Sequence, residues 1–409
     1  MRLSALALTF CSIAAIASAE ELTLDAALSR VRTSSPAVRG AESEVAAARA
    51  ELSAASRVIS ENPTLEALAG KRNTPAGQST NDHTITIDQP LTLGGRRTAR
   101  IESARAALDV ATARRDVLLR DALAGAATAY ARAASASARA KVAYQDEVLA
   151  KEIERIAQRR FDAGDVAVVD VNATKADATQ ARAETLVAEG ERDGALARLR
   201  ALLGLGADVP LTVDTDLITL LRRGTPRTLD VDTPEVREAA AEVRRARAEV
   251  ALARARTKPD FGIVAEEARE ENSRIFLGGA RLTLPIFNRG QAEVRAALAR
   301  VQRAEALLDL TRRQAEGELR AASAEFDRKR AAANLLDEVA LPLLIDNERL
   351  IAHSYEAGEI DLAELLTLRR QTNTIRTTAI TRLEEAARAW IELLRRIGAP
   401  PLVSTETQP

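Results

Sequence analysis

Residues 89–97 read QPLTLGGRR, and residues 284–292 read LPIFNRGQA. In both, a proline is followed by a short apolar run, then by glycine, then by the polar start of a long helical pattern. Pro90 and Pro285 suit the end of a strand, where a missing backbone donor is tolerated. Gly94, Gly95 and Gly290 suit the turn from strand into helix, where most side chains are disfavoured. One chain makes this joint twice, about 195 residues apart.

Working outward, further pairs appear at nearly the same offset. Pro36 matches Pro234, and Pro63 matches Pro259. RRFDAGDVAVVDV, from Arg159, matches HSYEAGEIDLAEL, from His353, which aligns Gly164 with Gly358. RLRALLGLGA, from Arg198, matches ELLRRIGAPP, from Glu392, which aligns Gly204 with Gly398. Five joints in one order define an internal duplication. It divides the chain into residues 1–19, a first repeat over 20–204, a linker over 205–230, a second repeat over 231–398 and a tail over 399–409.

Each repeat reads the same way. A helix stops near Asn62 or Lys258, because the residue before proline is pushed out of the helical region. Two strand-like runs follow, forming a hairpin over about 63–90 and again over about 259–285. HTITID, from His83, alternates with the period of two expected of a strand. A long helix then follows Gly95 or Gly290. Its small and apolar positions recur at 3–4 spacing: Ile101, Ala104, Leu108, Ala111, Leu118 and Ala122 in the first repeat, and Ala297, Val301, Ala304, Leu308, Thr311 and Ala315 in the second. Each pattern runs for roughly 65 residues, or about 100 Å as helix. Pro342 should kink the second one. A turn at Gly164 or Gly358 sends a shorter helix back.

Composition fits this plan. The chain has 409 residues, 46% hydrophobic but only 2% aromatic, and 29% charged. Alanine is the commonest apolar residue, which favours close-packed long helices over a thick core. A net charge of −1 carries no footprint of nucleic-acid binding. Residues 1–19 read as a secretory signal with small residues Ala17 and Ala19 before the cut. Cys11, the only cysteine, lies within it, and Phe10 before it argues against a lipid anchor.

Four strands cannot close a barrel, and an open sheet in lipid would leave edge groups unsatisfied. Strands of about ten residues are long enough to cross a bilayer. Three chains would give 12 strands, an allowed even number.

With LTLDAALSRV from Leu22, the duplicated layout and the paired AGD and AGE turns, the sequence resembles the TolC-family outer-membrane efflux proteins over essentially its whole mature length. QPLTLGGRR is most similar to the CzcC-type components of heavy-metal RND systems. The resemblance implies a mostly α fold with a small β part. It implies a homotrimer with a 12-stranded β-barrel in outer-membrane lipid and an α-helical barrel in the periplasm. It further implies a passive duct, not an enzyme, docked on a periplasmic adaptor and an inner-membrane RND pump, and passing divalent cations of the cobalt, zinc and cadmium type. A drug or type I secretion duct, and a soluble periplasmic coiled-coil scaffold, remain alternatives.

The resemblance makes the two turns the adaptor-binding tip: Phe161, Gly164, Asp165, Val166 and Ala167 in one, Tyr355, Gly358, Glu359, Ile360 and Asp361 in the other. Asp170 and Glu364, each six residues past its glycine, would form carboxylate rings that favour cations at a periplasmic gate. Thr367 stands where TolC carries a second acid. His83 and His353 are the only histidines, without metal-ligand spacing, so no metal site or cofactor is expected. No nucleophile with a placed base and no phosphate loop is found. The first hairpin lacks aromatic residues; the second offers Phe261 and Phe276, with Phe287 just beyond.

Overall fold

A computed structural model of the chain describes residues 21–59, 61–73, 77, 79–92, 95–221, 232–270 and 273–399. The signal, Gly94 and most of the tail lie outside them. The first repeat runs through β1 (Glu21–Leu22), α1 (Leu24–Ser34), α2 (Pro36–Ala55), β2 (Thr64–Asn73), β3 (Ser79–Leu91), α3 (Arg96–Asp162) and α4 (Val168–Leu202). A connecting stretch holds β4 (Thr212–Val213), paired parallel with β1, and α5 (Ile218–Leu221). The second repeat runs through α6 (Pro234–Arg256), β5 (Asp260–Glu270), β6 (Ser273–Thr283), α7 (Gln291–Leu335), α8 (Leu341–Glu356) and α9 (Leu362–Ile397).

α3 is a single helix of 67 residues. Its counterpart is interrupted where proline demanded it. Five residues, Leu336–Ala340, form a π-helical turn, and α8 begins with Pro342 in its first turn. The Leu341 N–H reaches back to the Leu336 carbonyl, five residues away. The wider turn absorbs the proline ring, which would otherwise clash with the preceding turn. α2 stops at Ala55 rather than near Asn62, whereas α6 stops at Arg256, close to expectation.

The four long strands form one antiparallel sheet in the order β2-β3-β5-β6, so the two hairpins join along β3 and β5. The sheet sits at one end of the helices and the α3–α4 and α8–α9 turns at the other. The main core lies between, where Leu28, Tyr130, Leu199, Phe326, Trp390 and Leu393 meet. The Tyr130 hydroxyl donates to the Leu22 carbonyl at 3.0 Å.

The joints explain their own chemistry. Gly95 and Gly290 cap α3 and α7 in the left-handed conformation, at φ 81° and 67°. The arginines after Gly95 serve other helices. Arg96 donates to the carbonyls of Ala255, Arg256 and Lys258 at the end of α6 and pairs with Asp260 at 2.8 Å. Arg97 donates to Ser56, and Arg100 to Ala55 and Arg57, at the end of α2. Helix C-termini carry orphan carbonyls and partial negative charge, and guanidinium groups satisfy both.

Seam residues fared differently in the two repeats. In α7, Ala297 and Ala315 are buried and the other four positions half-buried. In α3, Ala99, Ala106 and Val110 are buried instead, and Leu118 is exposed. α3 packs against α1, α2, α4, α6 and α9, so no single stripe describes it.

Candidate functional site

The register sorts the sheet into two unlike faces, because neighbours along a strand point to opposite sides. On one face, successive cross-strand rows read Leu91–Phe261–Leu282, Gln89–Ile263–Ala280, Leu65–Ile87–Ala265–Gly278 and Ala67–Ile85–Glu267–Phe276. This face is exposed and mostly apolar. Phe287, beside its helical border, is fully exposed.

The other face carries Glu66, Asp82, Asp88, Asp260, Glu266 and Glu270 against only Arg72 and Arg281. Its ion pairs cross strands. Arg72 bridges Asp82 at 2.7 Å and Glu270 at 3.1 Å, and Arg281 pairs with Asp88 across β5. Gly262 allows that crossing: a Cβ there would stand 2.9 Å from the Asp88 carboxylate. Such a face attracts cations and repels anions.

At the opposite end, both turns close identically. Gly164 and Gly358 take φ of 86° and 78°. Asp165 N–H donates to the Arg160 carbonyl and Gly164 N–H to Phe161; Glu359 N–H donates to Ser354 and Gly358 N–H to Tyr355. This is the paired closure typical of a glycine-ended helix. The two turns lie together. The Arg160 guanidinium stacks on the Tyr355 ring at 5.0 Å and donates to the Tyr355 carbonyl at 3.0 Å.

Tyr355 is therefore not presented outward. It is 2% exposed, in a cluster with Ile153, Ile156 and Leu365, on which Ile360 and Leu362 pack. Burial pushes its phenol up; the Arg160 charge opposes this, and Asp170 adds to it. The exposed tip residues are Phe161, Gly164, Asp165, Ala167, Gly358, Glu359 and Asp361, with Val166 and Ile360 half-buried. Val168 and Val169, 57% and 68% exposed, join them. They were missed because paired valines opening a helix look like core.

Several acids have local tasks. Asp361 caps α9, accepting from the Glu364 N–H at 2.8 Å. Asp170 accepts from the Ala167 N–H at 3.3 Å. The Glu359 carboxylate accepts from the Ser354 hydroxyl at 2.9 Å. Glu364 is exposed. Above the tip, Arg369 of α9 is buried between Asp177 of α4, at 2.6 Å, and Asp146 of α3, at 3.7 Å. Glu147, 2% exposed, meets Lys151 at 2.6 Å and Arg182 of α4 at 3.2 Å. The Lys151 contact leads in holding its carboxyl down at about 2, against the cost of burial. Among the described residues no three His, Cys, Asp or Glu side chains are grouped to hold a metal. No described helix is long and apolar enough to cross a membrane.

The family model for outer membrane efflux proteins matches residues 27–205 and 226–399. The nickel-cobalt-cadmium resistance protein NccC of Alcaligenes xylosoxydans is 31% identical over 290 residues, spanning 70% of this chain and 64% of that protein. The cobalt-zinc-cadmium resistance protein CzcC of Cupriavidus metallidurans is 28% identical over 356 residues, spanning 85% and 83%. Among solved structures, CusC superposes with a TM-score of 0.77 at 18% identity, covering 92% of each chain.

Proposed function

This chain belongs to the outer membrane efflux protein family, and from that premise we propose that it is the exit duct of a tripartite heavy-metal efflux system. What carries the metal reading is that the relatives aligned above are nickel, cobalt, zinc and cadmium resistance proteins. The acidic sheet face agrees with a cationic cargo.

The duct is a homotrimer in this reading. β2 and β6 are open edges, and three copies would pair them into a closed 12-stranded barrel. The apolar face would meet outer-membrane lipid and the acidic face the lumen. A soluble scaffold would have no reason to expose Leu65, Ile87, Ile263 and Phe276 on one sheet face. Exposed Leu186 and Val187 on α4, and Leu335 of α7, Val339 of the π-helical turn and Leu343 of α8, offer the helical part surface for a neighbouring copy.

The tip is the adaptor-binding surface, and through the adaptor the duct is coupled to an inner-membrane RND pump. Phe161, Val168 and Val169 supply its apolar part; Asp165 and Glu359 supply charge; Tyr355 and Ile360 hold the two turns together from behind. Asp170 and Glu364, repeated threefold, would line a gate.

The test is genetic. Cells lacking this chain should lose tolerance to cobalt, zinc or cadmium and regain it with the wild-type gene. Unchanged metal tolerance with lost export of a drug or a secreted protein would replace the metal reading and leave the duct.

A further inference from the structure

The apolar sheet face ends abruptly. After its last apolar row comes Ala69–His83–Arg269–Arg274, with Lys71 one step farther on β2. This row lies near the hairpin turns, at the end away from the helices. From Leu91 to His83, β3 rises about 26 Å along the strand, or about 20 Å of depth at the usual barrel tilt. That approaches the roughly 25 Å apolar band of an outer-membrane barrel. The cations therefore stand where hydrocarbon gives way to headgroups on the outer side. Neighbouring strands lie about 4.8 Å apart, so Arg269 and Arg274 stand side by side, with His83 on the next strand within about 10 Å of both.

Their charge is little compensated. Arg274 has Glu267 at 3.7 Å. Among the described residues Arg269, Lys71 and His83 have no ion-pair partner. The acids of β2, β3 and β5 otherwise point to the opposite face.

We infer that this row binds the phosphate groups of a phosphorylated glycolipid in the outer leaflet. The inference rests on the membrane-barrel reading. Guanidinium groups suit phosphate oxygens through paired, charge-assisted hydrogen bonds, and the apolar rows beside them suit the acyl chains. The contact would fix the depth of the barrel in the membrane.

The test uses detergent-extracted full-length protein and the variant carrying R269Q and R274Q. Each is incubated with bisphosphorylated lipid A, with its dephosphorylated form, or with lipid A plus inorganic phosphate. Retained lipid is counted by native mass spectrometry, and insertion is read as channels in a planar bilayer. Wild type should retain bisphosphorylated lipid A, the variant roughly thirtyfold less, and neither should retain the dephosphorylated form. Channels from both proteins with equal lipid retention would overturn this inference and leave the barrel standing. Displacement by millimolar phosphate would make the row a free-phosphate site. Failure of wild type to form channels at all would remove the barrel reading, and this inference with it.

Discussion

The α3–α4 tip and the α8–α9 tip share one backbone turn and differ in almost everything attached to it. The first hairpin holds itself: buried Glu147 of α3 meets Arg182 of α4, and the Thr185 hydroxyl donates to the Ala143 carbonyl at 3.2 Å. It is continuous with the uninterrupted α3 and leaves Phe161, Val168 and Val169 exposed. The second hairpin follows a π-helical turn and is fastened to the first by Tyr355, stacked under Arg160, and by Arg369, buried against Asp177 and Asp146. The two hairpins share the turn, whose glycine geometry tolerates little change. Their side chains make one a scaffold hairpin and the other a docked hairpin. Where those contacts release, the docked hairpin is the one able to move while its partner stays in place.

That division is broken most directly at the aromatic pair on matched helix ends. Tyr355→Ala should destabilise the docked hairpin by about 3 kcal/mol, the usual cost of emptying a buried aromatic site. Phe161→Ala, at a position 39% exposed, should cost under about 1 kcal/mol. Amide hydrogen exchange along α8 and α9 reads the difference. Equal protection in the two variants would mean that the hairpins are held alike.

The backbone the two hairpins share was readable in the residues, whereas the division between them was not, and the unreadable part has physical causes. The joints, hairpins and tip glycines were legible because proline and glycine act through their own backbone. The α7 seam was legible because α7 packs on α6 and α9 along one side. Tyr355 gave no warning of burial, since which way a helix-end residue faces depends on a helix 195 residues away. Nothing beside Arg96 and Arg100 in the sequence points to their partners, which are carbonyls at the ends of α6 and α2. The charge difference between the sheet faces needs the register of all four strands. DFGIVAEEA alone, from Asp260, mixes acids into both faces and suggests neither.

A second consequence concerns acid. The Glu147 carboxyl is held at about 2 in the folded chain, below its ordinary 4.5, chiefly by the Lys151 ammonium. The folded state therefore binds this proton less readily than the unfolded state does. Its contribution is fully present above about pH 4.5 and is lost as pH falls towards 2. Glu147→Gln should weaken the α3–α4 hairpin at neutral pH and flatten its acid dependence over that window, read as melting temperature against pH. An unaltered acid profile would show that Glu147 does not hold the scaffold hairpin together.

The smallest expected effect tests how far the two turns are interchangeable. Ala167 and Asp361 occupy the same position before α4 and α9, with nearly identical backbones, φ −81° ψ 157° and φ −83° ψ 169°. Only Asp361 has a side chain that can accept from the first turn of its helix. Asp361→Ala should therefore cost about 1 kcal/mol, seen as faster exchange of the amides at 362–365. Ala167→Ser should slow exchange at 168–171 by a similar factor. Its hydroxyl would complete a reciprocal cap with Asp170, which already accepts from the residue-167 N–H. Serine is the sharper choice than aspartate, because it adds no third carboxylate beside Asp165 and Asp170. If both substitutions act as expected, the turns differ by a side chain on a common backbone. If Ala167→Ser does nothing, the first turn of α4 is already fixed by Asp170 alone, and the scaffold hairpin needs no cap from the residue before it.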